Sequence, residues 1–360
     1  MKYVPENIKN IVPYPPGKPI EELERELGIS NTIKIASNEN PLGPSKKAVD
    51  AIKDTLNNLH RYPDGSCYYL KERLTERLGC SMDNLIIGNG SSEVIEFVLR
   101  TFVQPGDEVL SSEKTFVIYK IVSNVIGATF TEVPLKNGFY YDLKAIRRAV
   151  TDKTRVIFLS NPNNPTGTMF SQEEFDEFME NIDDEIIIAL DEAYFEYVQT
   201  SKRLDLRKYI NSKNIIVIRT FSKIYGLAGL RIGYGIAKPQ MIEYLNKVRA
   251  PFNVNSLAQT AAIASLNDDE HVFNSIKLNN DGIRYLYSEF DSLGLEYVKT
   301  YTNFILVNVG RPGQELYENM LKDGVIIRSM KNYGLNDFVR ITVGTKDENE
   351  RFISSLKNHL

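Results

Sequence analysis

Apolar runs alternate with amphipathic stretches from about residue 46 to about residue 266 of this 360-residue chain. This alternation is typical of a mainly parallel β-sheet that is covered by helices on both faces. Strand candidates are residues 85–87, 108–110, 155–159, 186–190, 215–218 and 232–236, and helix candidates are 65–78, 92–101 and 171–181. We therefore predict an α/β fold whose large domain spans residues 41–267.

The two ends of the chain differ from its middle. Residues 271–292 predict one long helix, and short strand-like runs follow near 304–307, 325–327 and 338–343, which together indicate a smaller α+β domain at 268–360. The first forty residues carry Pro13, Pro15, Pro16 and Pro19, which favour an extended arm with a short helix near 21–27. We expect this arm, residues 1–40, to contribute to the small domain.

Composition argues against several classes of protein. The formal net charge is -4 with both signs interspersed, so no basic surface predicts nucleic-acid binding. No signal-like apolar segment and no run of about eighteen apolar residues occurs, so we expect a cytoplasmic protein without a membrane segment. The few histidines and cysteines (His60, His271, His359, Cys67 and Cys80) are too scattered for a zinc site, a redox pair or a Ser-His-Asp triad. Catalysis would fall to lysine, tyrosine and carboxylates.

One lysine follows the apolar run 215–218, in the segment Thr220-Phe221-Ser222-Lys223. Ligands of open α/β sheets bind at the carboxyl ends of the strands. A lysine there can form a Schiff base with an aldehyde cofactor if its surroundings keep part of it unprotonated. The alternative for Lys223 is an ordinary solvated loop lysine, so the functional interpretation depends on partners elsewhere in the chain.

Asp191 and Tyr194 follow the strand candidate 186–190, on the same rim as Lys223. The Asp191 carboxylate could pair with a cationic ring nitrogen, or it could cap a helix. In both cases it needs a partner, because burying an unpaired carboxylate is costly. Tyr194 could donate a hydrogen bond to a phenolic oxygen, or it could be a core tyrosine whose hydroxyl is satisfied elsewhere.

Two turn segments complete this rim. Residues 161–167, Asn-Pro-Asn-Asn-Pro-Thr-Gly, predict a rigid turn that would also hold the Asn164 amide in place as a donor to a ligand. Residues 88–93, Gly-Asn-Gly-Ser-Ser-Glu, join a strand to a helix and offer backbone N–H groups with the Ser91 and Ser92 hydroxyls to an anion. This segment lacks the third glycine of the dinucleotide-binding fingerprint. Arg231 could add a cation to the same anion, or form a surface salt bridge.

Together these residues supply an imine-forming lysine, a carboxylate for a ring nitrogen, a clamp for a phenolic oxygen and an anion cup, which pyridoxal 5'-phosphate requires. The chain resembles the fold type I pyridoxal-phosphate-dependent aminotransferases of classes I and II over nearly its whole length. Within that family it looks most like the histidinol-phosphate aminotransferases. The closer resemblance rests on the order and spacing of Ser37-Asn38-Glu39-Asn40-Pro41-Leu42-Gly43-Pro44-Ser45, Arg61-Tyr62-Pro63-Asp64, Thr220-Phe221-Ser222-Lys223 with Gly226-Leu227-Ala228-Gly229-Leu230-Arg231, and Val339-Arg340-Ile341-Thr342-Val343-Gly344.

The resemblance implies a large domain with a mainly parallel seven-stranded sheet between helices, plus a smaller α+β domain. It implies that Lys223 binds the cofactor covalently and then shuttles a proton, and that Asp191 keeps the pyridine nitrogen protonated. Tyr194 and Asn164 would bind the phenolic oxygen. Phe116 would stack on the cofactor ring, where the family often has tyrosine; stacking needs only the ring.

A phosphate site is implied at Ser91, Ser92, Ser222 and Arg231, completed by Tyr62 of the partner subunit. The resemblance therefore implies a homodimer with shared active sites. Members of the family often carry Ala-Asp or Ala-Ser where this chain has two serines, so either serine could contact the phosphate.

The implied reaction is transamination of L-histidinol phosphate with 2-oxoglutarate, which gives imidazole acetol phosphate and L-glutamate in histidine biosynthesis. Arg340 is the arginine with which the family grips the substrate anion, a phosphate in one half-reaction and an α-carboxylate in the other. Arg328, Tyr14 and Asn38 are further substrate-binding candidates; a surface arginine and a packed tyrosine are the alternatives for the first two. An aromatic amino acid aminotransferase and a threonine-phosphate decarboxylase remain open as alternative functions. The effector domain of a transcription regulator would need a DNA-binding segment for which the chain has no room.

Overall fold

The computed structural model describes residues 3–360. Its strands are β1 (Ile33–Lys34), β2 (Leu85–Gly88), β3 (Glu108–Ser112), β4 (Thr129–Val133), β5 (Thr154–Ser160), β6 (Ile187–Asp191), β7 (Ile215–Thr220), β8 (Gly233–Ala237), β9 (Glu296–Val298), β10 (Phe304–Asn308), β11 (Val325–Ile326), β12 (Arg328–Ser329) and β13 (Phe338–Thr342). Its helices are α1 (Glu6–Lys9), α2 (Ile20–Leu27), α3 (Lys46–Thr55), α4 (Tyr68–Leu78), α5 (Ser91–Phe102), α6 (Ile118–Ile126), α7 (Leu143–Arg148), α8 (Gln172–Glu180), α9 (Arg207–Ile210), α10 (Pro239–Val248), α11 (Ser256–Leu266), α12 (Asp269–Ser292), α13 (Gly313–Lys322) and α14 (Lys346–His359).

A seven-stranded sheet organises the middle of the chain, with strand order β2-β8-β7-β6-β5-β3-β4. β8 runs antiparallel to both of its neighbours, and the other pairs are parallel. The predicted α/β fold with a mainly parallel seven-stranded sheet is confirmed. Six of these strands match the predicted runs, whereas β4 was missed because this edge strand, Thr-Phe-Thr-Glu-Val, is largely polar and only partly buried.

Helices cover both faces of this sheet, as the alternating pattern predicts. Along β5, Val156 and Phe158 face a core shared with α5, α6 and α10, while Ile157 and Leu159 face a core shared with α3, α4, α8 and α11. Because both faces are buried, the central strands are nearly continuous apolar runs. α8 begins with a capping box, in which the Ser171 side chain accepts from the Glu174 backbone N–H and the Glu174 carboxylate accepts from the Ser171 backbone N–H.

A smaller antiparallel sheet, in the order β12-β13-β10-β9, forms with α13, α14 and the end of α12 a separate hydrophobic core. The amino-terminal segment joins this part, because β1 pairs in parallel with β11. α12 links the two cores: Val272 and Ile276 pack against the core of the large sheet, and Leu286 and Phe290 lie in the smaller core. The domain boundaries at 40/41 and 267/268 stay predictions.

Residues 3–360 lack two kinds of feature. No helix in that range is long and apolar enough to cross a membrane. The same residues contain no group of three or more His, Cys, Asp or Glu side chains that could hold a metal ion.

Candidate functional site

The predicted site residues converge at the carboxyl edge of the large sheet. β6 and β7 are parallel neighbours, Asp191 is the last residue of β6, and Lys223 lies three residues beyond the end of β7. A cavity of about 250 Å³ opens at this edge. Its lining includes Ser37, Glu39, Ser91, Ser92, Phe116, Ser160, Asn164, Asp191, Ala193, Tyr194, Thr220, Ser222, Lys223, Ala228 and Arg231.

Asp191 is buried at the floor of this cavity, with 5% of its surface exposed. The backbone N–H of Ala193 donates to Oδ1 at 2.9 Å, and the hydroxyl of Tyr119 donates to Oδ2 at 2.5 Å. Burial raises the pKa of Asp191, and these two donors oppose the rise. Asp191 therefore does not cap a helix. It is a buried carboxylate that two donors hold in place beside the cavity.

Tyr119 is a member of the site that the sequence did not reveal. It is fully buried on α6, and its ring stacks on Phe158 with centroids 4.4 Å apart. Burial raises the pKa of its hydroxyl well above the ordinary value, so it stays a donor to Asp191. The only sequence signal is that Tyr119 lies three residues after Phe116, one helical turn further on, and that position alone does not identify its partner.

Lys223 is half-buried in the cavity wall, and its Nζ donates to the Ser37 carbonyl at 3.3 Å. Burial lowers the pKa of its amine from 10.5 to about 8, and the nearby Arg340 guanidinium acts in the same direction. A substantial fraction of the amine is therefore neutral near pH 8. The geometry fits the predicted nucleophilic lysine better than a solvated one.

An anion cradle lies at the amino-terminal end of α5. Gly90 has a φ of +81°, and a Cβ at this position would lie 2.5 Å from Nη2 of Arg231, so glycine lets the guanidinium approach the helix. Arg231 is exposed, its Nη1 donates to the Ala228 carbonyl at 3.2 Å, and it pairs with no carboxylate within residues 3–360, which argues against the surface salt bridge. Ser91 and Ser92 start α5, and Ser222 lines the same cavity. Helix N–H groups, hydroxyls and a guanidinium together favour an anion.

Tyr194, Asn164 and Phe116 also line the cavity. The Tyr194 ring packs edge-on against Phe304, with centroids 5.3 Å apart. Nη1 of Arg340 donates to Oδ1 of Asn164 at 2.6 Å, which leaves the Asn164 amide nitrogen for another acceptor. The sequence predicted that these residues are close together, but it did not predict this bond.

A second cavity of about 90 Å³ adjoins the first, and its lining includes Ser37, Phe116, Asn164 and Lys223 as well. All four predicted substrate-binding residues line it: Tyr14, Asn38, Arg328 and Arg340.

The two arginines differ in their surroundings. Arg340 is buried and donates through Nη2 to the Ala36 carbonyl at 2.8 Å, while its Nε has no partner within the described residues 3–360. Arg328 is partly exposed, donates to the Pro15 carbonyl at 2.8 Å, and lies 5.6 Å from the centroid of the Tyr14 ring. Arg340 is therefore the arginine whose unused donor is buried beside the cavity rather than open to solvent.

Tyr62 is the predicted site residue that the single chain does not bring to the cavity. It is 84% exposed and stacks on Phe252, with ring centroids 4.8 Å apart. Neither cavity that contains Lys223 includes it in its lining.

The profile of the aminotransferase class I and II family matches residues 30–356. This chain belongs to the class I and II aminotransferases. The resemblance predicted from the motifs is thereby confirmed at the level of the family.

Relatives of this aminotransferase carry a more specific name. It is 48% identical to the histidinol-phosphate aminotransferase of Moorella thermoacetica over 357 residues, which cover 99% of this chain and 92% of the relative. It is 46% identical to a histidinol-phosphate aminotransferase of Nitrosococcus oceani over 354 residues, or 98% and 95% of the two chains. The crystal structure of histidinol-phosphate aminotransferase from Sinorhizobium meliloti in complex with pyridoxal-5'-phosphate superposes with a TM-score of 0.91 at 26% identity, covering 100% of this chain and 99% of that one.

Proposed function

We propose that the protein is a pyridoxal-phosphate-dependent transaminase that converts L-histidinol phosphate and 2-oxoglutarate into imidazole acetol phosphate and L-glutamate. The observation that carries this proposal is that Lys223, Asp191 and the anion cradle of α5 open into one cavity. The names of relatives 46–48% identical over nearly the whole chain support the substrate. They favour histidinol phosphate over an aromatic amino acid or phosphothreonine as the amino donor.

The chemistry of the donor set fits pyridoxal phosphate. Asp191 is a buried carboxylate that forms no ion pair within residues 3–360, and a cationic ring nitrogen would neutralise its charge. Because residue 90 has no side chain, the Arg231 guanidinium can lie beside it at the start of α5. A cation next to the N–H groups of a helix start is what a phosphate site requires. Ser91, Ser92 and Ser222 would add hydroxyl or backbone donors to the same phosphate.

When bound, pyridoxal phosphate supplies an aldehyde that condenses with amines and a cationic ring that withdraws electrons from the carbon bonded to the donor nitrogen. Lys223 would hold the cofactor covalently until the amino donor replaces it. Its released amine would then take the proton from the substrate carbon that bears the nitrogen. Because the pKa of Lys223 lies near 8, this amine is close to the basicity that suits a base at neutral pH.

Three side chains would orient the ring. Asp191 would hold a proton on the ring nitrogen, a charge arrangement that is in place before the reaction begins. Tyr194 and the Asn164 amide would donate to the phenolic oxygen, and Phe116 would cover one ring face.

Arg340 would bind the anionic end of each substrate. Its Nε is buried without a partner within residues 3–360, so a bound phosphate or carboxylate would satisfy it. A planar guanidinium suits both anions, which matters because histidinol phosphate lacks the carboxylate of glutamate. Arg328, Tyr14 and Asn38 line the same small cavity and would contact the rest of the substrate.

We further propose a homodimer in which Tyr62 of the partner subunit completes the phosphate site. The support is that Tyr62 is 84% exposed on a single chain and lies outside both cavities that contain Lys223. An exposed, stacked aromatic ring suits a subunit contact. The cytoplasmic location stays a prediction from the sequence.

The cofactor-loaded protein can be mixed separately with L-histidinol phosphate, L-phenylalanine and O-phospho-L-threonine while the absorbance of the bound cofactor is followed. We expect histidinol phosphate to change the spectrum at the lowest concentration, and 2-oxoglutarate to restore it with formation of glutamate. Faster conversion by phenylalanine would replace the proposed substrate. Carbon dioxide release from phosphothreonine without need of an oxo acid would replace the proposed reaction.

A further inference from the structure

The Tyr194 hydroxyl is held by one neighbour in a way that constrains its proton. Nδ2 of Asn38 donates to the Tyr194 oxygen at 2.8 Å. Both side chains are buried, with 1% and 3% of their surfaces exposed. Within residues 3–360 no acceptor is recorded for the Tyr194 proton. Since a hydroxyl has one proton, the Tyr194 proton remains for an acceptor in the cavity.

Thr342 determines which end of the Asn38 amide faces Tyr194. The backbone N–H of Asn38 donates to Oγ1 of Thr342 at 2.9 Å, and the Thr342 hydroxyl then donates to Oδ1 of Asn38 at 3.3 Å. If the amide were reversed, the Thr342 proton would lose this acceptor and Oδ1 would face Tyr194. The hydrogen-bond network therefore assigns Nδ2 to the tyrosine.

The backbone of Asn38 is fixed as well. Its φ is +57°, a left-handed conformation that asparagine adopts more readily than most residues. Its carbonyl accepts from Nδ2 of Asn303 at 3.0 Å, and Asn303 is itself buried. A short, rigid side chain on a fixed backbone can hold one hydrogen-bond direction.

We propose that Asn38 is a positioning residue that aims the Tyr194 hydroxyl proton into the cofactor cavity. The chain of donors runs from the Asn38 backbone to Thr342, back to the Asn38 amide, and on to Tyr194. The Tyr194 proton would then be left for the phenolic oxygen of a bound cofactor. This role rests on the proposed binding of pyridoxal phosphate. It differs from substrate binding because Asn38 acts through Tyr194.

The orientation has a spectroscopic consequence. With the cofactor bound, a donor on its phenolic oxygen would stabilise the negative charge of that oxygen, so the oxygen would attract the proton on the nitrogen bonded to Lys223 less strongly. That proton would then be lost at lower pH. Turning the Tyr194 proton away should raise the pH midpoint at which the absorbance of the bound cofactor changes, by about one pH unit or more.

Four single variants and one double variant test this by pH titration of the cofactor spectrum, without turnover. Asn38→Asp offers Tyr194 an acceptor in place of a donor, and Thr342→Val frees the amide to reverse at nearly constant volume. Both should raise the midpoint toward that of Tyr194→Phe. Thr342→Ser keeps the hydroxyl, so the midpoint of this variant should stay at the wild-type value. In the Tyr194→Phe background, Asn38→Asp should add no further shift.

The outcomes separate this inference from the proposed function. If wild-type protein acquires no Lys223-dependent absorbance from pyridoxal phosphate, the proposed function fails. If it does, but Asn38→Asp and Thr342→Val both keep the wild-type midpoint, only the positioning role is overturned. A shift of equal size in the Tyr194→Phe background would also overturn it, because the effect would then not pass through Tyr194. Melting temperatures of the same variants report a purely structural loss.

Discussion

The two walls of the cavity differ in how the chain builds them. The sheet wall, defined here as Asp191, Tyr194, Ser222 and Lys223, follows two neighbouring parallel strands of one buried sheet. The small-domain wall, defined as Asn38, Arg328 and Arg340 with Tyr14, is tied together by bonds between residues far apart in sequence. Arg340 and Ala36, for example, are 304 positions apart.

This difference suggests a division of labour. The sheet wall is fixed by the continuous core beneath it, which suits groups that must hold a cofactor in one position. The small-domain wall combines an exposed tyrosine, a partly exposed arginine and a buried arginine with a free donor. We expect substitutions in the sheet wall to change cofactor binding and chemistry, and substitutions of the two arginines of the small-domain wall, Arg328 and Arg340, to change substrate binding.

The largest effect is expected for Lys223→Ala. Loss of the covalent anchor and of the base should lower the transamination rate by roughly 10⁴-fold or more. The melting temperature should stay level or rise, since a partly buried amine is removed. Lys46→Ala, at a lysine whose side chain is 91% exposed, is the matched control and should keep full activity. Turnover near the wild-type rate in Lys223→Ala would exclude the assigned role.

The sheet wall could be predicted from the sequence largely because its residues follow strand ends. Once 186–190 and 215–218 are strands of a parallel sheet, Asp191 and Lys223 must share an edge. Tyr119 could not be predicted in the same way, because it reaches Asp191 only through the packing of α6 on the sheet. The edge strand β4 was missed for the same reason, because it depends on a tertiary contact. Pairing with β3, rather than its own largely polar sequence, makes this segment a strand.

The small-domain wall was predicted by family resemblance rather than from local pattern. Nothing in Ser37-Asn38-Glu39 or in Val339-Arg340-Ile341 indicates that they meet, although Asn38 bonds to Thr342 and Arg340 to Ala36. Their proximity depends on the pairing of β1 with β11 and of β12 with β13. Tyr62 illustrates a further limit, because one chain does not bring it to the cavity at all.

Substitutions of the adjacent residues Asp191 and Glu192 test the sheet wall next. Asp191→Asn should weaken cofactor binding and lower the rate by roughly 10²-fold or more, since the partner of the ring nitrogen is lost. Its stability should not fall, because burial already raises the pKa of this carboxyl group. Cofactor affinity can be measured by fluorescence titration and stability by denaturant unfolding.

Glu192→Gln is the matched comparison. Glu192 is buried and accepts from Nε and Nη2 of Arg219 at 2.9 and 2.8 Å. Its loss leaves the Arg219 charge buried without its partner and should cost roughly 3–5 kcal/mol of stability. Cofactor affinity should change little. If both variants lost affinity equally, the Asp191 effect would be one of folding rather than of charge at the ring nitrogen.

The small-domain wall is tested by Arg340→Lys. An ammonium group cannot replace the planar fork, so kcat/KM for histidinol phosphate should fall by roughly 10²-fold, mainly through KM. The affinity for pyridoxal phosphate should change by less than roughly tenfold, because the cofactor rests on the other wall. Arg328→Lys, at the partly exposed arginine, should have the smaller effect on KM. A loss of cofactor affinity as large as the loss of substrate affinity would remove the distinction between the walls.

The smallest expected effect is a pH dependence that separates Lys223 from ordinary lysines. Burial lowers the pKa of its amine to about 8, so the neutral and nucleophilic form grows as pH rises through 8 and is nearly complete above 9. With that pKa the neutral fraction goes from about one-tenth at pH 7 to about nine-tenths at pH 9. The rate at which the apoprotein captures pyridoxal phosphate, followed by stopped-flow absorbance, should therefore rise about tenfold over this range and then level off. A lysine of ordinary pKa would give a rate that keeps rising well above pH 9, and such a profile would show that the cavity does not lower the pKa of Lys223.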